Sequence, residues 1–226
     1  MLSERYRPQT WADFVGQPII EEIQAALADD WLFEGCGERW LFESKGYAGC
    51  GKTSAAYVTA QALGCADIDV IRIDSRAATA ADFRELECSM RLYGWGKSAR
   101  KCYIIDEIQH LNTSCMRMLL GLLESLPAHV IVIGTTTSID WADEVDGLFS
   151  RWRRFRFSKP SAPDVAAHLE RIAQDADLAI PDGFRLLSYV QGKIGQSETG
   201  NNIRGLIDGL PDALRRLKPT GKAQAA

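Results

Sequence analysis

The sequence contains no apolar run approaching the roughly 20 residues that cross a bilayer as a helix. Its opening residues, Met1-Leu2-Ser3-Glu4-Arg5, have no apolar core of the kind a secretory signal carries. These two absences lead us to expect a cytoplasmic protein with no membrane partner. Six cysteines are present (Cys36, Cys50, Cys65, Cys88, Cys102, Cys115), yet no two form a Cys-x-x-Cys pair. The spacing argues against a zinc module and, in a cytosolic chain, against a disulfide framework. Most of these thiols are expected as small apolar fillers. An excess of basic residues is missing as well. With 26 Lys+Arg against 30 Asp+Glu, the formal net charge is −4, which excludes a polybasic nucleic-acid binder. A local basic face stays open, because steering follows charge distribution as well as the total. The chain shows neither an internal repeat nor a low-complexity tract.

What is present reads as a globular α/β chain. The 226 residues are 46% hydrophobic and 25% charged, enough to bury roughly 70–75% of the unfolded surface. Short apolar runs alternate with helical patterns, as βαβ units require. Four runs are nearly continuous, which suits parallel strands covered on both faces: Trp40–Phe42, Val70–Ile73, Cys102–Ile105 and Val130–Ile133. A fifth, Arg154-Phe155-Arg156-Phe157, alternates and is expected at a sheet edge. Phe83, Leu86 and Met90 share one helix face, with Arg84 and Arg91 pointing elsewhere. Asn112–Leu126 opens with capping residues and carries Leu119, Leu120, Leu122 and Leu123, the pattern of a buried helix. After Lys159-Pro160-Ser161-Ala162-Pro163 come helical patterns at Asp164–Ala176, Gly183–Gly192 and Asn202–Leu217. The expected organisation is residues 1–158 as an α/β domain, 159–218 as a small helical lid, and 219–226 as a flexible tail.

Gly46-Tyr47-Ala48-Gly49-Cys50-Gly51-Lys52-Thr53 matches G-x-x-x-x-G-K-[ST] and lies between the first strand and a helical segment, Ser54–Leu63. Glycines let backbone N–H groups turn toward phosphates, and the helix N-terminus adds positive potential. Gly46, Gly49, Cys50, Gly51, Lys52, Thr53 and Ser54 are the expected phosphate contacts. Lys52 is expected on the β/γ-phosphates and the Thr53 hydroxyl on Mg²⁺. The third strand ends in Asp106-Glu107. Asp106 is the expected second Mg²⁺ residue, and Glu107 the carboxylate that polarises the attacking water. ATP and Mg²⁺ are the implied cofactors.

Beyond these motifs the chain resembles the AAA+ ATPase subunits of bacterial DNA sliding-clamp loaders, the γ/τ type. Glu4-Arg5-Tyr6-Arg7-Pro8-Gln9-Thr10-Trp11-Ala12-Asp13-Phe14-Val15-Gly16-Gln17 is similar to that family's opening signature. The resemblance implies a P-loop NTPase fold with a five-stranded, mainly parallel sheet and a helical lid. It implies adenine contacts from Tyr6, Arg7, Pro8 and Val15. The block from Asp106-Glu107-Ile108-Gln109-His110-Leu111 to Thr135-Thr136 has the family's spacing and implies that Thr136 is the sensor-1 residue. Leu148-Phe149-Ser150-Arg151-Trp152 resembles the Ser-Arg-Cys motif, with Trp152 in place of Cys, and implies Arg151 as an arginine finger serving a neighbouring subunit. Asn202-Ile203-Arg204 sits where the family has sensor 2, implying a γ-phosphate contact from Arg204. The family's zinc insertion and collar domain are not found, so a ring or arc is expected to form through the remaining domains or through partner subunits.

The resemblance further implies an oligomer, homomeric or heteromeric, that engages a sliding clamp or another replication protein and primer–template DNA. Arg76, Arg84, Arg91, Lys97, Arg100 and Lys101 are the implied contacts to the DNA backbone, which would be sequence-independent and salt-sensitive. The expected activity is ATP hydrolysis stimulated by assembly and DNA, used to load or remodel a partner on DNA. Two other readings stand beside it. One is an AAA+ remodelling or recombination ATPase with a non-clamp target; the other is a subunit that binds nucleotide only structurally.

Overall fold

The structure, a computed structural model, describes residues 1–138, 149–194 and 202–216. It divides into two compact units. The larger comprises Pro8–Gly46 and Gly51–Ser158; the smaller comprises Met1–Arg7, Tyr47–Cys50 and the described residues from Lys159 onward.

The larger unit is built on five strands: β1 (Glu38–Glu43), β2 (Val70–Asp74), β3 (Lys101–Asp106), β4 (Val130–Thr136) and β5 (Arg153–Arg156). Their order is β2-β3-β4-β1-β5, and all four pairings are parallel. Every residue of β3 and β4 is buried, as their unbroken apolar runs require. β5 buries Phe155 between exposed Arg154 and Arg156 and occupies an edge, as its sequence indicates. Helices α3 (Lys52–Ala62), α4 (Ala80–Met90) and α5 (Thr113–Glu124) connect the strands. Thr79 and Asp82 close α4's first turn as a reciprocal capping box, and the Asn112 side chain caps α5. Phe83, Leu86 and Met90 of α4 join Cys115, Leu119 and Leu123 of α5 in one core against Tyr103, Ile105, Val130 and Val132.

The sequence patterns above do not single out α2 (Ile19–Leu27), although Ile19, Ile20, Ile23 and Ala26 repeat at helical spacing and all are buried. The cysteines are free thiols: Cys50, Cys102 and Cys115 are buried, Cys65 is half-buried, and Cys36 and Cys88 are exposed. No helix among the described residues is long and apolar enough to cross a membrane.

The smaller unit contains α1 (Leu2–Arg5), α6 (Ala162–Asp175), α7 (Leu186–Ile194) and α8 (Ile203–Arg216). Ser161 caps α6. Val165, Leu169, Ile172, Val190, Leu206, Leu210 and Leu214 form its core, on which Leu2 and Tyr6 pack. The first seven residues, placed with the α/β domain on sequence grounds, therefore group here with the helices. The Ser3 N–H and hydroxyl donate to the Asp208 carboxylate at 2.8 and 2.7 Å and tie α1 to α8. The tail at 219–226 lies outside the described residues.

Candidate active site

Parallel strands deliver their side chains to one carboxyl edge, and at this edge the two sequence motifs meet. β1 ends at Glu43, and the glycine-rich loop leaves it to start α3. Gly46 N–H donates to the Thr137 carbonyl at 2.9 Å, tying the loop's base to the end of β4. Gly51 is the residue before α3, with φ of +100°. A side chain there would be strained, and its Cβ would lie 3.1 Å from the Phe14 ring. The left-handed turn aims the first N–H groups of an 11-residue helix outward, a seat for anionic oxygen.

Lys52 opens that helix, is 5% exposed, and donates from Nζ to Ser44 Oγ at 2.8 Å. One residue on, Thr53 Oγ1 donates to Asp106 Oδ1 at 2.8 Å. Asp106 Oδ1 also accepts from Thr135 Oγ1 at 2.7 Å, while its Oδ2 accepts from Arg72 Nε at 3.0 Å and Nη2 at 2.6 Å. Burial pushes the Asp106 carboxyl up, but the bonds from Thr135, Thr53 and Arg72, together with the Arg72 charge, hold it below its ordinary value. The carboxylate is therefore ionised at neutral pH. Thr53 and Asp106 place a hydroxyl and a carboxylate within one hydrogen bond of each other. These hard oxygen donors suit Mg²⁺, which keeps several waters and takes one or two protein oxygens.

Glu107 adopts φ 55° and ψ 55°, a left-handed conformation that a residue with a Cβ enters at a cost of about 1–2 kcal/mol. It is over-determined there: its N–H donates to Thr135 Oγ1 at 3.0 Å and its carbonyl accepts from His110 N–H at 2.9 Å. Its carboxylate accepts from Gln109 Nε2 and from Thr137 Oγ1, the latter at 3.0 Å. Thr136, at the end of β4, donates to Gln109 Oε1 at 2.8 Å and to the Ser138 carbonyl at 2.7 Å. Lys52, Thr53, Asp106, Glu107 and Thr136 thus share the carboxyl edge of the sheet, and buried Ser54 follows on α3.

Arg151 stands elsewhere. It precedes β5 in a short 3-10 turn and pairs with Glu124 at 2.5 Å. Glu124 ends α5, and its neighbour Leu123 accepts from Arg39 at the start of β1. With Trp40 opposite Arg153 in the ladder, Arg151 lies at the amino end of β1. The loop leaves the other end, five residue steps and about 17 Å away along the strand. That is beyond the reach of an arginine side chain.

Within the smaller unit, Gly49 has φ of +73°, and a Cβ on it would fall 1.9 Å from Asn202 Oδ1. Asn202 directly precedes α8 and accepts the Arg204 N–H on Oδ1 at 3.1 Å, so the start of α8 packs on the loop's middle residues. Arg204 is exposed, and Gly49 and Cys50 belong to this unit. The Tyr6 hydroxyl donates to Asp175 at 2.5 Å, a bond that raises its pKa. Tyr6 and Arg7 belong to the helical unit, and half-buried Pro8 and Val15 to the sheet unit.

One implied DNA contact is corrected. Lys101 is 8% exposed and its ammonium donates to the Ser89 carbonyl at 3.0 Å, at the start of a strand whose six residues are all buried. Arg91 pairs with Glu87, Arg76 meets His110, and Arg100 stacks on Phe33 at 4.4 Å, while Arg84 and Lys97 are exposed. Four participants went unnoticed in the sequence: Ser44, Arg72, Gln109 and Thr135. Arg72 left a trace there as a charge interrupting the apolar run of β2, and Gln109 and Thr135 fall within the block that carries the resemblance, though no role followed for them.

A family model described as "ATPase family associated with various cellular activities (AAA)" matches residues 45–160. The DNA polymerase III tau subunit of Salmonella typhimurium is 29% identical over 211 residues, covering 83% of this chain and 32% of that protein. The gamma subunit of Buchnera aphidicola subsp. Baizongia pistaciae is 27% identical, with 85% and 55% covered. That of Buchnera aphidicola subsp. Acyrthosiphon pisum is 30% identical over 248 residues, with 94% and 67% covered. The chain thus spans 32% to 67% of the length of these relatives. In fold, a RuvB variant from Thermotoga maritima superposes with a TM-score of 0.71 at 18% identity, covering 95% of this chain and 68% of that one. A second RuvB variant gives 0.69 at 19% identity, with 94% and 67% covered.

Proposed function

The chain belongs to the AAA family of ATPases, as a relative of the bacterial DNA polymerase III gamma and tau subunits, and from that premise we propose that it hydrolyses ATP to load or remodel a partner protein on DNA. The observation that carries the hydrolytic half is the pair formed by Thr53 and Asp106, flanked by Lys52 and Glu107 on one sheet edge. The DNA-directed half rests on the kinship with the polymerase III subunits. An oligomer, a sliding clamp or other replication protein, and primer–template DNA are its proposed partners, in the cytoplasm.

The chemistry asks little covalent work of the protein, since phosphoryl transfer is catalysed by positioning and charge. The triphosphate sits on the N–H groups of the glycine loop and the start of α3. Lys52 leaves Ser44 to neutralise charge between the β- and γ-phosphates. Thr53 and Asp106 would hold Mg²⁺, which would supply further neutralisation of the phosphate charge. Glu107 accepts a hydrogen bond from a water and aims its oxygen at the γ-phosphorus. The new P–O bond forms as the bridging oxygen departs with ADP, and the water's proton ends on phosphate. Thr136 donates to a γ-phosphate oxygen. Arg151, out of reach of its own loop, completes the site of a neighbouring copy or partner subunit, and Arg204 at the start of α8 is the proposed second sensor. Tyr6, Arg7, Pro8 and Val15 are the proposed adenine contacts.

Glu107→Gln tests this reading. The variant keeps the shape and should bind ATP within about twofold of wild type, while turnover drops by about 10³ or more. Unimpaired hydrolysis would remove Glu107 from the reaction.

A further inference from the structure

Gln109 has no assigned role, yet both ends of its side chain are engaged at the reacting edge. Nε2 donates to the Glu107 carboxylate and to Thr137 Oγ1 at 3.0 Å, and Oε1 accepts from Thr136 Oγ1 at 2.8 Å. The orientation of this amide follows from its neighbours. An ionised carboxylate only accepts, so the NH₂ group must face Glu107 and the carbonyl oxygen must face Thr136. Thr136 is therefore the donor, and a hydroxyl has one proton to give. Gln109 Oε1 and the Ser138 carbonyl, among the described residues, both accept from it.

We propose that Gln109 is a positioning residue that couples the hydroxyl of Thr136 to the carboxylate of Glu107. The inference rests on the ATP site proposed above. Without a γ-phosphate, the Thr136 proton is shared with Gln109, and the amide holds Glu107 turned toward Gln109 and Thr137. A γ-phosphate oxygen is a stronger, charged acceptor and draws the Thr136 proton to itself. Gln109 Oε1 then loses its donor, and the amide reorients to recover one. Glu107 is released from one of its two donors and becomes available to a water. The base is held back while the site holds ADP and freed when it holds ATP.

The decisive experiment measures binding of ADP and of a non-hydrolysable ATP analogue, both with Mg²⁺, by calorimetry. Gln109→Met, which fills the space but cannot accept from Thr136, removes one competitor for the Thr136 proton and leaves the Ser138 carbonyl in place. It should raise the preference for the triphosphate over ADP about fivefold, the worth of one net hydrogen bond. Gln109→Ala is the second variant and should shift the ratio in the same direction. On a Thr136→Val background neither substitution should change the ratio, since the coupled partner is gone. Equal shifts for both nucleotides, or a shift that survives in Thr136→Val, would overturn the coupling. A wild-type chain that takes up neither nucleotide would instead overturn the ATP-site reading, and this inference with it.

Discussion

Replacing Arg154 by methionine probes how the end of β1 is held beside the phosphate loop. Glu43 closes β1 three residues before Gly46 and is 1% exposed. Its carboxylate accepts from Arg154 Nε and Nη2 and from Arg156 Nε, each at 3.0 Å. A buried charge stripped of its partner costs about 3–5 kcal/mol. Two features lower that figure for Arg154→Met. Arg156 remains on Oε1, and Arg154 is 34% exposed on its side chain, so water can follow it in. We expect about 2 kcal/mol for Arg154→Met and about 3–4 kcal/mol when Arg156→Met is added. Glu43→Gln should cost less, about 1 kcal/mol, because both arginines reach water once released. In a chain of this size each kcal/mol moves Tm by about 2–4 °C, so Arg154→Met lowers Tm by about 4–8 °C and Glu43→Gln by about 2–4 °C. Circular-dichroism melts at pH 7 distinguish them. If Glu43→Gln destabilises as much as the double arginine variant, the asymmetry drawn from burial is wrong.

Asp106, held below its ordinary pKa of 3.8, contributes stability that is whole above the unfolded value and is lost as pH falls through the folded one. Asp106→Asn should therefore flatten the fall in urea-derived stability as pH drops below about 5; an unchanged slope would refute it. Arg151→Ala should leave ATP affinity of the isolated chain within about twofold, yet remove the stimulation by assembly, a loss of roughly 10³–10⁵ in kcat. Steady-state turnover against protein concentration reads this out, and retained stimulation would exclude Arg151 as the finger.

The parts of the site that lie close together along the chain were legible without coordinates. The loop at 46–53, the strand before it and the Asp106-Glu107 pair are short runs whose spacing follows from the chemistry. Sheet class and the edge position of β5 were readable too, because continuous and alternating apolar runs report how many faces a strand buries. Helix α2 was overlooked for a different reason: its pattern runs for only nine residues, and Pro18 and Gly16 before it resemble loop composition. The reading of Lys101 as a DNA contact failed because charge in a sequence carries no burial, and only the strand register turns that ammonium inward.

The sequence by itself determined that a glycine loop, a lysine and a hydroxyl would open a helix after a buried strand, and that two acids would end another. Those statements need only local spacing, because backbone geometry converts a fixed number of residues into a fixed shape. Tertiary structure alone decided which side chains complete each group. Arg72 reaches Asp106 from β2, Thr135 from β4, and Gln109 joins Glu107 to Thr136 across the end of the sheet. It also set Arg151 at the edge opposite the loop. Such pairings depend on strand order and register, which bring residues as far as 113 positions apart to 3.0 Å, and no spacing along one chain records them.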